Sequence, residues 1–219
     1  MALDRSSFIY RNGLSLALLA LFVVSLAGQT WAGLRACNAE LAEKGAQALT
    51  LAQYLASGHF VSATFENWES EFLQMGMYVL LTVVLRQRGS AESRPLDPAQ
   101  EEQEIEPGAT PWPVRRGGLW RAVYANSLSL TYLLLFLLTF AGHSYGSWKH
   151  ENEQRLLEGE PGVAWSEHLG SAQFWFESMQ NWQSEFLAVL SIVLLSIYLR
   201  QEDSPESKPV AAPHSQTGA

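Results

Sequence analysis

Two stretches of the sequence lack Asp, Glu, Lys and Arg over a length that few small soluble proteins could bury. The first lies between Arg11 and Arg35, and the second lies between Arg121 and Lys149. A helix needs about 20 residues to cross the roughly 30 Å hydrocarbon core of a bilayer. A chain of 219 residues has too little other protein to cover two such helices. Each stretch therefore predicts a membrane-spanning helix.

Two shorter uncharged stretches, 72–85 and 186–199, predict two further spans. At 1.5 Å per residue, the 14 residues of each stretch cover only about 21 Å. Starting the helices at Asn67 and Asn181 extends each of them to about 30 Å, which is enough to cross the hydrocarbon core. The sequence therefore predicts four spans in all.

The two additional spans place polar and aromatic residues at their first turns. Glu71 and Glu185 must lie near the membrane boundary, because a charged side chain is costly at the bilayer centre. Trp68 and Trp182 lie where interfacial aromatic side chains are usual. We therefore expect these two tryptophans to be interfacial anchors.

A cleaved signal peptide is the alternative for the first span. Arg5 and Arg11 supply a basic start, and Ser25–Ala27 resembles a cleavage site. The third span is a stretch of the same kind in mid-chain, where no signal peptide belongs. This similarity favours a retained membrane helix.

The sequence contains an internal duplication at an offset of 114 positions. The element N-W-x-S-E-F-L begins at Asn67 and again at Asn181, and L-R-Q begins at Leu85 and again at Leu199. Asn38 also matches Asn152, and Gly45 matches Gly159. Chance matching of apolar residues does not explain such mixed motifs in one frame.

The duplication defines the expected fold, because each copy carries two spans and both copies enter the membrane from the same side. We expect an all-α protein, a four-helix transmembrane bundle of two parallel two-helix repeats. The first repeat is 1–86 and the second is 118–201. The linker 87–117 and the tail 202–219 are rich in polar residues and Pro, a composition typical of disorder.

Basic residues near the span ends predict the orientation. One side holds Arg5, Arg11, Arg86, Arg88, Arg94, Arg115, Arg116, Arg121, Arg200 and Lys208, whereas the other holds only Arg35, Lys44, Lys149 and Arg155. We therefore expect a multi-pass protein of the cell (cytoplasmic) membrane with both termini and the linker in the cytoplasm. The outer segments, about 35–60 and 149–174, form either interfacial helices or ordinary structured loops.

Helical spacing gathers a candidate polar cluster at the start of the second and fourth spans. Its members are Asn67, Ser70 and Glu71 in one copy, Asn181, Ser184 and Glu185 in the other, and His143 in the third span. One hypothesis is a proton- or cation-binding carboxyl pair, with His143 bonded to Glu71 or Glu185. The other hypothesis is a helix-start motif that packs helices together, with His143 bonded to a carbonyl group or water.

The sequence favours neither a metal site nor a cofactor. No two of the five histidines are spaced i,i+4, and Cys37 is the single cysteine. Walker, G-x-S-x-G and G-x-G-x-x-G motifs are absent from the sequence. A net charge of −8 argues against a nucleic-acid partner. Enzymatic activity, for example on a lipid or quinone, stays open but is not favoured.

Four segments together resemble a family of small bacterial integral membrane proteins catalogued as a domain of unknown function. They are F-E-N-W-E-S-E-F-L-Q at 65–74, N-W-Q-S-E-F-L at 181–187, R-N-G-L-S-L at 11–16 and L-R-Q-R-G-S-A-E-S at 85–93. The resemblance implies a multi-pass bacterial membrane protein and brings no activity, substrate or catalytic residue. The second copy departs from the first where Gln183 replaces Glu69 and Gln180 replaces Glu66. A role shared by both copies is therefore not expected of those carboxylates.

Two functional hypotheses follow from the sequence. The first is a non-enzymatic membrane protein acting in envelope structure, assembly or partner binding. The alternative is a small ion- or proton-coupled transporter or channel that uses Glu71 and Glu185. The expected partners are the lipid bilayer and either a second copy of the chain or another membrane protein.

Overall fold

The computed structural model describes residues 7–101 and 105–218, and within these ranges it contains helices and no strand. Arg5, which contributes to the basic flank, lies outside the described residues. The helices are α1 (Phe8–Glu43), α2 (Leu51–Leu55), α3 (Gly58–Val84), α4 (Trp112–Arg116), α5 (Gly118–Ala125), α6 (Ser127–Glu158), α7 (Trp165–Leu169) and α8 (Ala172–Tyr198), with a 3₁₀ turn at Pro98–Gln100. The prediction of an all-α fold is confirmed.

Three of the helices, α1, α6 and α8, are long and apolar enough to cross a membrane. The 27 residues of α3 are also sufficient in length, but the helix carries Glu66, Glu69 and Glu71 in its first half. The fourth span and the four-helix bundle of two repeats stay predictions.

The chain divides into two compact units. The first comprises residues 1–63 and 145–165, and the second comprises 64–144 and 166–219. The repeat boundaries and the disordered segments predicted from the sequence stay predictions.

In the first unit, two asparagine side chains fasten the segments that follow α1 and α6. Asn38 donates from Nδ2 to the carbonyl of Leu49 over 3.0 Å and accepts from the Leu49 N–H over 2.7 Å. Asn152 forms the same two hydrogen bonds with Val163, at 3.2 and 2.8 Å. Each segment therefore folds back against the helix that precedes it.

Glycines with positive φ end both of these helices. Gly45 has φ +70° and Gly159 has φ +73°, a conformation that residues with a Cβ rarely adopt. In each case the next N–H donates over 2.8 Å to a carbonyl five residues earlier, from Ala46 to Leu41 and from Glu160 to Arg155. The last helical carbonyls are satisfied in this way, as in a Schellman motif.

In the second unit, α3 and α8 are each followed by a turn with the same hydrogen bonds. Within 86–95, the Gln87 N–H donates to Ser93 Oγ over 2.9 Å. Within 200–209, the Gln201 N–H donates to Ser207 Oγ over the same distance. We call these segments the α3 turn and the α8 turn. Both lie at the cytoplasmic ends predicted for the helices, and their disorder in solution stays a prediction.

Candidate functional site

A fully buried carboxyl group joins three helices of the second unit. Glu69 on α3 and His143 on α6 each have 0% exposure. The Oε2 atom of Glu69 lies 2.7 Å from Nδ1 of His143. The Oε1 atom accepts a hydrogen bond of 2.9 Å from the indole N–H of Trp182 on α8. We call these three residues the Glu69 cluster.

Both oxygens of Glu69 have a partner, which offsets the cost of burying the carboxyl group. When Glu69 is ionised, His143 carries a proton on Nδ1, because the carboxylate can only accept. The other ring nitrogen, Nε2, is also shielded from solvent, and it has no hydrogen-bond partner among the described residues.

Aromatic rings enclose the cluster. Phe174 is stacked on the His143 imidazole, with ring centroids 5.0 Å apart and an interplanar angle of 30°. Phe140 packs edge-on against Phe174 at 5.8 Å, and Phe136 packs against Trp182 at 6.2 Å. These rings exclude water, so the ionic and polar contacts lie in a medium of low dielectric constant.

Gly142 allows α6 to approach α3 at this level. A Cβ atom at position 142 would lie 2.6 Å from the ring of Phe65. Because His143 is the next residue, this close contact helps to bring its imidazole within reach of Glu69. Packing thus positions the hydrogen bond.

His143 is part of the site, but its partner differs from the two that the sequence suggested. The structure pairs it with Glu69, whereas Glu71 is exposed and Glu185 is half-buried. Residues two apart on a helix point to nearly opposite faces. Of Glu69 and Glu71, only one can therefore face His143.

The other predicted residues form local or cross-helix hydrogen bonds. The hydroxyls of Ser70 and Ser184 donate over 2.8 Å to the carbonyls of Asn67 and Asn181, within their own helices. The Asn181 amide also donates to the carboxylate of Glu66 on α3. The structure therefore divides the predicted cluster: Asn181 and His143 bond to acidic side chains of α3, and the two serine hydroxyls bond within their own helices.

The two tryptophans expected to be interfacial anchors differ in their surroundings. The Trp182 indole N–H is directed to Glu69 in the interior. The ring of Trp68 packs edge-on against Phe65 at a centroid distance of 5.4 Å. The anchoring role of both residues stays a prediction.

Sequence reasoning missed Glu69, although a signal for it is present in the repeat. Glu69 aligns with Gln183, and His143 aligns with Gln29. At these two positions, each copy thus has an ionisable residue where the other copy has glutamine, and the two residues can carry opposite charges. Paired departures of this kind indicate a contact between one residue from each copy.

The first unit contains a cavity of about 530 Å³. Its walls are mainly apolar and include Cys37, His59 and His150, and the two imidazole rings are 5.2 Å apart between centroids. No group of three or more residues that could hold a metal ion occurs in the described part of the chain.

Comparison with known protein families places the chain in a family of unknown function. The model of a family described as "Domain of unknown function (DUF6766)" matches residues 5–219. No curated protein and no solved structure matches significantly. The resemblance to an uncharacterised family is thereby confirmed, whereas the bacterial origin and the duplicated element stay predictions.

Proposed function

Because the chain belongs to the DUF6766 family of unknown function, we propose its role from its own residues: it is a non-enzymatic, multi-pass protein of the bacterial cytoplasmic membrane. Four helices, α1, α3, α6 and α8, span the bilayer, and both termini lie in the cytoplasm. The protein acts in envelope structure, assembly or the binding of a membrane partner.

The proposal of α3 as the fourth span is supported by the way its acidic residues are bonded. Charged residues in a span face the protein interior and are paired. Glu69 accepts hydrogen bonds from His143 and Trp182, and Glu66 accepts one from Asn181. Both partner helices, α6 and α8, are themselves long and apolar enough to span. Glu66 and Glu69 thus have the partners that a membrane position requires, whereas Glu71 is exposed and must lie near the membrane boundary.

The proposal of two parallel repeats is supported by hydrogen bonds at equivalent positions. Asn38 and Asn152 are equivalent at the offset of 114. The side chain of each forms two hydrogen bonds with the backbone of the residue eleven positions later. The α3 turn and the α8 turn also contain equivalent hydrogen bonds. An even number of spans places these two turns on the same side of the membrane.

The closed Glu69 cluster carries the proposal of a structural role. Glu69 and His143 have 0% exposure, and Phe174 covers the imidazole. A substrate could not reach the reactive atoms without separating the helices. The cluster is instead suited to specify which helix faces meet, a use of buried polar groups known from other helical assemblies.

Labelling of single cysteines tests the proposed topology. In a Cys37→Ser background, we expect Ala48→Cys and Glu160→Cys, both at exposed positions, to react with an impermeant thiol reagent in intact cells. Ile105→Cys and Gln216→Cys should react only after permeabilisation. Reaction of Ile105→Cys from the same side as the cysteine placed after α1 would show that α3 does not span and that three spans remain. Recovery of the chain in the soluble fraction without detergent would exclude a membrane protein.

A second candidate, a proton- or ion-coupled transporter or channel, is favoured by the buried Nε2 atom of His143, which has no described partner. The carboxyl groups of Glu71 and Glu185 also interact electrostatically. In proteoliposomes loaded with a pH-sensitive dye, flux that is lost in Glu71→Gln with Glu185→Gln, or in His143→Gln, would support this function. Absence of flux from the folded wild-type protein would exclude it.

A further inference from the structure

The two short helices α4 and α5 form an exposed basic and aromatic surface directly before α6. Only Asn126 separates the end of α5 from the start of α6. The side chains of Arg115, Arg116 and Arg121 are all exposed. We call α4 and α5, residues 112–125, the α4–α5 segment.

The charge of this segment contrasts with that of the whole chain. The protein has a net charge of −8, but no Asp or Glu occurs between Glu106 and Glu151. The three arginines of the segment therefore have no acidic neighbour in sequence. No ion pair between residues that the structure describes involves these three arginines.

Two tryptophans provide an apolar platform beside these charges. Trp112 is 49% exposed and Trp120 is 51% exposed, and their rings pack edge-on at a centroid distance of 5.2 Å. The guanidinium of Arg116 lies 5.6 Å from the centre of the Trp112 ring. Leu119 and Val123 extend the apolar face of α5 and are also exposed. Indole rings and arginines at a helix end are typical of the membrane interface.

We propose that the α4–α5 segment lies on the bilayer surface and binds the phosphate groups of anionic phospholipids. This inference rests on the proposed membrane function, because α6 must be embedded for α5 to reach the surface. The arginines supply donors for phosphate oxygens, and guanidinium groups bind phosphate in a bidentate manner. Trp112, Trp120 and Leu119 enter the boundary between head groups and acyl chains. Continuity with α6 holds the segment at this depth.

The charge makes this binding selective for anionic lipid. Each arginine near an anionic surface favours the bound state about fivefold, so that three arginines favour it on the order of a hundredfold. A neutral surface provides only the apolar contribution of the indole rings. We therefore expect surface binding to increase with the fraction of anionic lipid and to decrease with salt.

Hydrogen–deuterium exchange of the full chain in lipid nanodiscs tests the proposal. We expect the amides of 112–125 to exchange at least about tenfold more slowly in discs with phosphatidylglycerol than in discs of phosphatidylcholine alone. In the variant with Arg115→Gln, Arg116→Gln and Arg121→Gln, this difference should disappear. The corresponding triple lysine variant keeps the charge and should restore most of it.

A matched control is available on α1, where Arg35 lies 4.2 Å from the centre of the Trp31 ring. This pair has the same i,i+4 spacing but no neighbouring arginines, so Arg35→Gln should leave the lipid dependence of 112–125 unchanged. Addition of inorganic phosphate to phosphatidylcholine discs distinguishes binding of free phosphate from binding of lipid, and we expect no protection from it.

The outcomes separate this inference from the proposed function. Equal exchange of 112–125 in both disc types, or an unchanged lipid dependence in the triple glutamine variant, would overturn lipid binding while α6 stays protected. Protection by free phosphate alone would also overturn it. Rapid exchange along α6 in both disc types would instead contradict the membrane function itself.

Discussion

Nδ1 of His143 lies 2.7 Å from Oε2 of Glu69, and neither side chain is exposed. This hydrogen bond joins α6 to α3, and the indole N–H of Trp182 joins the same carboxyl group to α8. An interaction of this kind is most informative when one partner is removed, because the other is then left buried.

Replacement of His143 by Leu should destabilise the protein by about 3 kcal/mol or more, since the Glu69 carboxylate keeps only one donor in a water-free site. Thermal unfolding in detergent, followed by tryptophan fluorescence, measures the change. Glu71→Gln is the matched control, because Glu71 is exposed and should change the stability by less than about 0.5 kcal/mol. If the melting temperatures of both variants equal that of the wild type, the Glu69 cluster has no structural role.

Replacement of Gly142 by Ala should destabilise the second unit, because the new methyl group would lie 2.6 Å from the Phe65 ring. Overpacking of this kind costs about 1–3 kcal/mol. Gly28→Ala provides the control, since a Cβ at position 28 has no atom within 4 Å and alanine favours helix formation. A melting temperature that falls for Gly142→Ala and not for Gly28→Ala is the expected result. Equal effects of the two substitutions would contradict the close approach of α6 to α3.

Glu92 in the α3 turn should make the stability depend on pH. Its Oε1 atom is shielded from solvent and no described donor bonds it, while the Glu206 carboxyl of the α8 turn lies beside it. Burial and this neighbouring carboxyl raise the pKa of Glu92, although a 2.6 Å hydrogen bond from the Tyr78 hydroxyl opposes the shift. The folded state therefore binds a proton more tightly than the unfolded state does.

Because the folded state binds a proton at Glu92 more tightly than the unfolded state does, the stability should increase as the pH falls. The destabilising contribution of Glu92 is complete above its raised pKa and is lost as the pH falls towards the ordinary glutamate value. Glu92→Gln should thus raise the melting temperature at pH 8. The melting temperature of this variant should also increase less than that of the wild type when the pH is lowered from 8 to 5. Glu202→Gln changes an exposed residue and should show the same increase of the melting temperature on acidification as the wild type. An identical pH dependence in Glu92→Gln and the wild type would count against the raised pKa.

Lys208 should hold the C-terminal segment against the α3 turn. Its side chain is 1% exposed, and its ammonium donates to the carbonyls of Gly89, His214 and Gln216. Burial and the Arg200 charge lower the pKa of Lys208, so the carbonyl groups must stabilise the ammonium.

The variant Lys208→Met leaves those carbonyls without their donor, at a cost of about 1–3 kcal/mol. We expect the chain after Arg200 to be cleaved faster in limited proteolysis of the purified protein. Arg88→Gln removes an exposed charge from the α3 turn and should leave the cleavage rate unchanged. Equal rates for Lys208→Met and the wild type would show that the segment is held by other contacts or is disordered, as its composition predicts.

Local features of the sequence determined the helices. Long uncharged apolar stretches predict α1 and α6 with little ambiguity, because hydrophobicity and length depend only on neighbouring residues. The uncharged stretches of α3 and α8 are shorter, and the duplicated N-W-x-S-E-F-L element was needed to extend both helices. The duplication also directed attention to the correct region of α3, since N-W-E-S-E-F-L contains the residue that the structure buries. The sequence did not show which of its two glutamates, Glu69 or Glu71, faces the interior.

Tertiary structure decided that question. Glu69 and Glu71 are two positions apart, so their helix directions differ by about 200°, and either could have faced the interior. Where α6 packs on α3 at Gly142, the imidazole of His143 reaches the face of α3 that carries Glu69. Helix formation is a property of short segments, whereas the pairing of a buried charge depends on which surfaces meet. That second property exists only once residues more than 70 positions apart are packed together.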